Sequence, residues 1–277
     1  MLGGMVVRVL ASHPALEVVA STRRGGNAAL EFDSSRDSIA ELLDSAHCDW
    51  IVNAIGILDN RIDEDDPQSV ATAIDTNATF PNRLAAAAGG RRVIQISTDG
   101  VFSGRNAPYD ERAPHDAVGV YARSKSLGVV SSPAFVNLRC SIIGPEEPPA
   151  SSLLGWALSH PPGATITGYT NHRWNGITTY HFAKLCAATI LGDDLDLPVV
   201  LHAVPGDAVD KAELLRLLLS AFGRNDVTVV ADPAPAPADR TLCTVYPKAN
   251  ECLWAAAGYR RPPTIEEMVR ELSTVAQ

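Results

Sequence analysis

No apolar run in the sequence approaches the roughly 18 residues of a membrane-crossing helix, so no membrane partner is expected. Met1 to Gly4 is not followed by a basic segment and a cleavage site, so no secretory leader is expected. The five cysteines, Cys48, Cys140, Cys186, Cys243 and Cys252, are odd in number and lack close pairs. That argues against a disulfide framework and a zinc site, and for reduced, mostly buried thiols in the cytoplasm. The seven histidines show no metal-ligand spacing either. Basic charge is scarce: 23 Lys and Arg stand against 32 Asp and Glu, a formal net charge of -9. A sequence-independent grip on nucleic acid is therefore not expected, whereas a small anionic ligand held by a few local donors remains open.

What is present is a chain of 277 residues, 46% hydrophobic, long enough for one large domain or two unequal lobes. As far as about Arg139, short apolar runs alternate with longer helical patterns, the arrangement of right-handed parallel crossovers in an α/β sheet. Strands are expected at Leu16–Thr22, Asp49–Ile55, Arg92–Ile96 and Ala134–Cys140, and helices at Ser38–Ser45, Pro67–Ala88 and Val118–Val130. Beyond Cys140 the pattern loosens, with helices expected at Ser152–Ser159, Thr179–Leu191, Lys211–Phe222 and Ile265–Val275. Asp210 with Glu213, and Thr264 with Glu267, have capping-box spacing. Alternating Pro and Ala make Asp232–Pro237 an extended connector. The resulting division places a doubly wound Rossmann-type domain at 1–145, to which 168–204 returns. A smaller mixed α/β substrate lobe comprises 146–167 and 205–277.

A dinucleotide site needs a strand, a glycine-rich turn and a helix whose positive end meets the pyrophosphate. Here Gly3 and Gly4 run directly into the helical pattern Val6–Leu10, as though Gly3 were the last glycine of such a turn; a plain flexible terminus reads the same residues equally well. The apolar stretch Leu16–Thr22 tips the balance, because it ends in Arg23-Arg24, about 20 residues beyond Gly3, where NAD sites usually carry an acid and NADP sites an arginine. NADP(H) is accordingly expected over NAD(H). The competing reading has both arginines merely solvating a strand end. Asn53, Ala54 and Gly56 end a buried strand where a backbone can approach a cofactor, and Asn77 lies in an otherwise apolar, small-residue helix.

Tyr121 and Lys125 stand four apart on a helix and so share one face, where an ammonium brings a phenol toward its working range. Fewer than one such pair is expected by chance, yet Tyr180 and Lys184 form a second. Context separates them. Ser97, Thr98 and Asp99 follow an expected strand directly, at the carboxyl end where open α/β sheets bind ligands, and Thr98 there can reach a substrate carbonyl. No comparable strand end precedes Tyr180, which reads as a structural helix start.

The segments "VNAIG" at 52–56, "ISTDGVFSG" at 96–104, "PYDE" at 108–111, "YARSK" at 121–125, "LRCSIIGPE" at 138–146 and "GYTNHRWNGITT" at 168–179 together resemble the extended short-chain dehydrogenase/reductases. The likeness is specifically to the branch around dTDP-4-dehydrorhamnose reductase, and it spans nearly the whole chain. It implies a catalytic set of Thr98, Tyr121 and Lys125 and hydride transfer from NADPH to the 4-keto carbon of a nucleotide-linked sugar. Trp174, Asn175 and Arg240 would meet that sugar with Ser97 and Asp99, Arg240 at the diphosphate, and a homodimer is compatible with the family. Ala122 and Val129 depart from the family's usual Gly and Glu, and the opening strand with its glycine-rich turn is absent from this sequence. An incomplete phosphate cradle with weak cofactor binding is expected. The same residues also suit a nucleotide-sugar epimerase or dehydratase that keeps its NAD, or a regulatory subunit without turnover. Replacing Arg23 and Arg24 by Asp and Ser should shift the kcat/KM ratio for NADPH over NADH toward NADH; an unchanged ratio would show that neither arginine reads the 2′-phosphate.

Overall fold

The computed structural model describes residues 1–23, 29–146, 152–192 and 194–276. Its frame is a four-stranded parallel sheet in the order β10-β5-β4-β3, formed by β3 (Trp50–Asn53), β4 (Arg92–Ser97), β5 (Phe135–Arg139) and β10 (Val200–His202). Adjacent residues of each strand point to opposite faces. Ile94, Val136 and Leu138 thus join the core that contains α1 (Leu2–Ala11) and α7 (Thr179–Leu191), while Val93 and Phe135 join the one containing α2 (Ile39–Ala46) and α4 (Phe80–Ala87). Covering both faces explains the nearly continuous apolar strands, each large side chain contributing roughly 1.5–3 kcal/mol of burial.

The expected strand at Leu16–Thr22 forms only over its last three residues, β1 (Ala20–Thr22), which pairs in parallel with β2 (Ala29–Glu31) in a separate two-stranded sheet. Leu16 and Val18 pack against the large core without a ladder partner. Among the described residues no strand hydrogen-bonds to the outer edge of β3 or links it to β1.

The helical stretch expected at Pro67–Ala88 is three pieces: α3 (Pro67–Ile74), a π turn over Asp75–Thr79, and α4. Pro81 has no N–H to give the carbonyl of Asn77, so the usual i to i−4 bond is impossible there and the wider turn takes its place. The expected helix at Val118–Val130 is shorter, α5 (Val120–Leu127), with the Glu64 carboxylate accepting from the Val120 amide at 2.7 Å.

In the second half, β6 (Ile142–Ile143) pairs with β9 (Ile177–Thr178), α6 (Leu153–Leu158) precedes β7 (Thr165–Tyr169), β7 pairs with β12 (Thr228–Asp232), and β8 (His172–Trp174) lies between β11 (Val209–Asp210) and β13 (Ala238–Asp239), while β10 returns to the main sheet. α8 (Lys211–Ala221) packs over β7 and β12, and α10 (Ile265–Val275) begins with a full capping box between Thr264 and Glu267. Asp210 caps α8, but the reciprocal bond expected from Glu213 is absent because that carboxylate pairs with Arg216. α9 (Pro247–Ala256) has no counterpart among the expected helices, although it buries Leu253 and Trp254. Only Cys140 and Cys186 are buried thiols, and Cys252 is exposed, so the expectation of mostly buried cysteines is not met. No helix of the described residues is long and apolar enough to cross a membrane.

One buried charge joins the two halves. Arg139, 1% exposed, donates from Nη1 to His202 Nε2 at 3.1 Å and from Nη2 to His115 Nε2 at 2.9 Å. Accepting from an arginine requires both imidazoles to be neutral at those atoms. Glu111 completes the join, accepting from the amides of His202 and Val245 at 2.9 Å each. Burial, aided by Arg139, pushes His202 down to about 4. Between pH 6.5 and about 4 the unfolded chain therefore takes up a proton that the fold refuses, and stability must drop as pH falls through that window. The melting temperature should decline accordingly. In His202→Gln the acid-side stability slope should lessen by up to ~1.4 kcal/mol per pH unit; equal slopes in both proteins would contradict this assignment.

Candidate active site

At the carboxyl end of the main sheet a cavity of about 500 Å³ opens between the sheet and the second half of the chain. Thr98 follows the last residue of β4, and its Oγ1 caps the short turn Asp99–Val101 by accepting from the Gly100 amide at 3.0 Å. Tyr121 and Lys125, one turn apart on α5, project into the same cavity, where the Thr98 hydroxyl is near enough to the Tyr121 phenol to lower its pKa. Gly100 allows this meeting: a Cβ there would lie 3.0 Å from Tyr121 Cε1 and 3.2 Å from Thr98 Oγ1.

Tyr121 does not have the lowered pKa that the Tyr–Lys spacing predicts. Burial raises it, Asp99 and Asp59 add to the rise, and the Thr98 hydrogen bond and Arg240 oppose it. The Lys125 ammonium turns instead to the Ile96 carbonyl, 3.1 Å away, and burial lowers it to about 8. The phenol is thus protonated at neutral pH, as a proton donor must be. Lys125 still carries charge below about pH 8, with donors in excess of its single carbonyl partner.

The near wall is built for close approach. Met1, Leu2 and Gly3 open α1 against the cavity, and no side chain caps that helix start, so the first-turn N–H groups and the positive helix end are available to an anion. Ala54 and Gly56 line the cavity opposite, where a Cβ on Gly56 would come to 3.4 Å from Asn77 Oδ1 and 3.9 Å from Lys125 Nζ. Small residues, open amides and a buried cation together fit a dinucleotide.

A model of the RmlD substrate binding domain family matches residues 1–141. The chain belongs to that family. It is accordingly an NAD(P)-dependent oxidoreductase of the short-chain dehydrogenase/reductase superfamily, with a Rossmann-type α/β fold. No curated protein matches the sequence. Among solved structures, the dTDP-4-dehydrorhamnose reductase of Yersinia enterocolitica is similar at 16% identity and TM-score 0.73, covering 100% of this chain and 96% of that one. The Bacillus anthracis dTDP-4-dehydrorhamnose reductase in complex with NADP is similar at 16% identity and TM-score 0.67, covering 85% and 84%. The UDP-glucuronic acid 4-epimerase of Bacillus cereus, in complex with UDP-glucuronic acid and NAD, reaches TM-score 0.73 at 14% identity over 99% and 95% of the two chains. At these identities the likeness is one of fold.

For this RmlD-family chain, the sequence brings Gly3, Ala54, Gly56, Ser97, Thr98, Asp99, Tyr121, Lys125 and Trp174 to one cavity. Other expected residues lie elsewhere. Asn53 is spent internally, donating to Gln95 at 2.7 Å and accepting from the Ile55 amide at 3.0 Å. Asn77 clamps both backbone groups of Ile57 and donates to Ser124 Oγ, fixing the loop after β3 against α5 rather than lining the cavity. Asn175 likewise clips both backbone groups of Leu242. Arg240 is exposed and is not among the residues that line the cavity, although its charge acts on Asp99 and Tyr121. Arg23 is exposed in the turn after β1, and Arg24 lies outside the described residues. The second Tyr–Lys pair is a structural tie, as Lys184 donates to the Tyr259 hydroxyl at 2.9 Å and that hydroxyl donates to Glu271 at 2.6 Å.

Sequence reasoning missed Lys211, Arg61 and Ser141, which line the same cavity. Lys211 was visible only as the first residue of a capped helix; nothing local signals that α8 aims its start at the sheet. A second hollow of about 530 Å³, between β2 and α2, holds Glu31, Asp37 and Glu41 but no phenol or lysine, so the chemistry is concentrated in the first. Gly100→Ala should displace the Thr98–Tyr121 pair and lower kcat/KM by on the order of 100-fold with little change in melting temperature. Retained activity would show that the close packing on Gly100 is dispensable.

Proposed function

We propose that this chain reduces the 4-keto group of a nucleotide-linked deoxysugar with NADPH, in the manner of a dTDP-4-dehydrorhamnose reductase, and so feeds surface polysaccharide biosynthesis. The observation that carries the reading is the convergence of Thr98, Tyr121 and Lys125 on one cavity beneath the uncapped start of α1. Bound NADPH supplies the hydride to the carbonyl carbon. Tyr121 gives its proton to the oxygen, and Thr98, beside the phenol, holds that oxygen in line. The phenolate left behind is favoured by the Thr98 hydrogen bond and by Arg240, the two influences that lower the Tyr121 pKa. Lys125 anchors the ribose end of the cofactor, and the α1 amides with Gly3 receive its pyrophosphate. Exposed Arg23 supports a preference for NADP, with Arg24 beside it in sequence. Exposed Arg240, whose charge acts on Asp99, suits the substrate diphosphate. The enzyme works in the cytoplasm, and a homodimer is the assembly in keeping with this reading.

The fold likeness to a 4-epimerase supports a second reading, in which the same tyrosine serves an NAD that is reoxidised within each cycle. Net consumption of the reduced cofactor separates the two. Wild-type protein should oxidise NADPH in the presence of dTDP-4-keto-6-deoxyglucose, and Tyr121→Phe should lower the rate by about 100-fold or more, the usual worth of a positioned general acid. Sugar interconversion without net NADPH loss would favour the epimerase, and NADPH binding without turnover of this sugar would overturn the reductase reading as stated.

A further inference from the structure

Lys125 is flanked in sequence by two hydroxyls, and each is tied to a different neighbour. On one side Ser124 Oγ accepts from Asn77 Nδ2 at 3.2 Å, which fastens α5 to the π turn. On the other, Ser126 Oγ meets His115 Nδ1 at 2.6 Å. At 3.6 residues per turn, positions two apart stand about 200° apart around a helix axis. The two ties therefore grip α5 from nearly opposite sides, with Lys125 between them, and together they set the rotation of the helix at that residue.

The tie through His115 has a fixed polarity. Its Nε2 stands 2.9 Å from Arg139 Nη2, and a guanidinium only donates, so Nε2 accepts and the ring proton sits on Nδ1, directed at Ser126. Arg139 is itself held, with Nη1 3.1 Å from His202 Nε2 and the guanidinium 5.3 Å from the centre of the Phe102 ring. His115 meets that same ring edge-on at 5.6 Å between ring centres. Protonation of His115 would cost the bond from Arg139. Burial, with help from Arg139 and His202, holds the imidazole down to about 4, so the link is intact at neutral pH. It runs from the end of β5 through a ring at the protein surface to α5, in two short hydrogen bonds.

Lys125 depends on such restraint. Its ammonium has one hydrogen bond, to the Ile96 carbonyl at 3.1 Å, and it lines the cavity. The tip of a lysine stands several ångströms off the helix axis, so a rotation of about 10° moves Nζ by about 1 Å, enough to carry a hydrogen bond out of its useful range.

We propose that His115, which does not line the cavity, is a positioning residue for Lys125: by tying Ser126 to Arg139 it fixes the direction in which the ammonium meets the cofactor. The inference rests on the reading above that gives Lys125 the ribose end of the dinucleotide, and it extends the cofactor site to a residue on the outer side of α5.

NADPH affinity reads this without turnover, by fluorescence titration of the cofactor with the protein. His115→Phe keeps a ring against Phe102 but loses both hydrogen bonds, and it should weaken NADPH binding about fivefold, the worth of one ordinary hydrogen bond. His115→Gln, whose amide oxygen can accept from Arg139 while its nitrogen donates to Ser126, should recover most of that loss. Ser126→Ala removes the same tie from the helix side and should reproduce the loss, which keeps the test intact if the ring substitution disturbs folding. The deciding measurement is the double variant. In a Lys125→Ala background His115→Phe should cost nothing further, whereas a residue acting on the fold at large would weaken binding by the same factor with or without the lysine. Additive losses, unchanged affinity in both His115→Phe and Ser126→Ala, or no recovery in His115→Gln would each overturn the proposal while leaving the ribose assignment of Lys125 standing. A wild-type protein that binds no NADPH, or a Lys125→Ala variant that binds it as well as wild type, would remove that assignment and the proposal with it. Whether any sugar is reduced does not enter the outcome.

Discussion

The site depends on a close contact at Gly100, where the ring of Tyr121 lies against backbone that has no Cβ to hold it away. That contact brings the phenol to the Thr98 hydroxyl, and both elements that carry the pair are firmly held. Thr98 extends a strand paired on both sides, by β3 and β5, and α5 is docked so tightly that a Cβ on Gly128 would come within 2.0 Å of the Asn77 carbonyl oxygen. The π turn that carries Asn77 exists because Pro81 cannot donate to that carbonyl. A proline four residues downstream thus sets the position of Asn77, which in turn clamps the loop after β3 at Ile57.

Desolvation governs the electrostatics of the cavity. It raises Tyr121 and Asp99 and lowers Lys125 and Lys211, the directions in which withdrawal of water disfavours each charged form. A phenol kept neutral beside a lysine that is still charged below about pH 8 suits proton donation at neutral pH. The same withdrawal of water explains the neutral His202 beside Arg139: a second positive charge at full burial would be uncompensated there.

Much of this was legible in the sequence because the relevant signals are local. Apolar strands at 50–53, 92–97 and 135–139, the Tyr121–Lys125 spacing and the strand-end hydroxyls all report structure within a few residues of themselves. What escaped depends on distant partners. Asn53 and Asn175 read as ligand contacts, yet their amides are taken up by Gln95 and Ile55 in one case and by Leu242 in the other. The spacing of Tyr121 and Lys125 predicted mutual tuning, but the Ile96 carbonyl, 29 residues back, captures the ammonium. Lys211 enters the cavity only because β11 pairs with β8 and aims the start of α8 at Trp174, a long-range pairing with no local signature.

In the proposed reaction a hydride reaches a sugar carbonyl held between Thr98 and Tyr121. The most direct measurement follows the atom itself, using NADPH deuterated at the transferable position and mass spectrometry with NMR of the nucleotide-sugar product. Deuterium is expected on the former carbonyl carbon of the sugar in the product of the wild-type protein, falling to trace amounts with Tyr121→Phe. A product without the label at that carbon, or full labelling by the Tyr121→Phe variant, would contradict it.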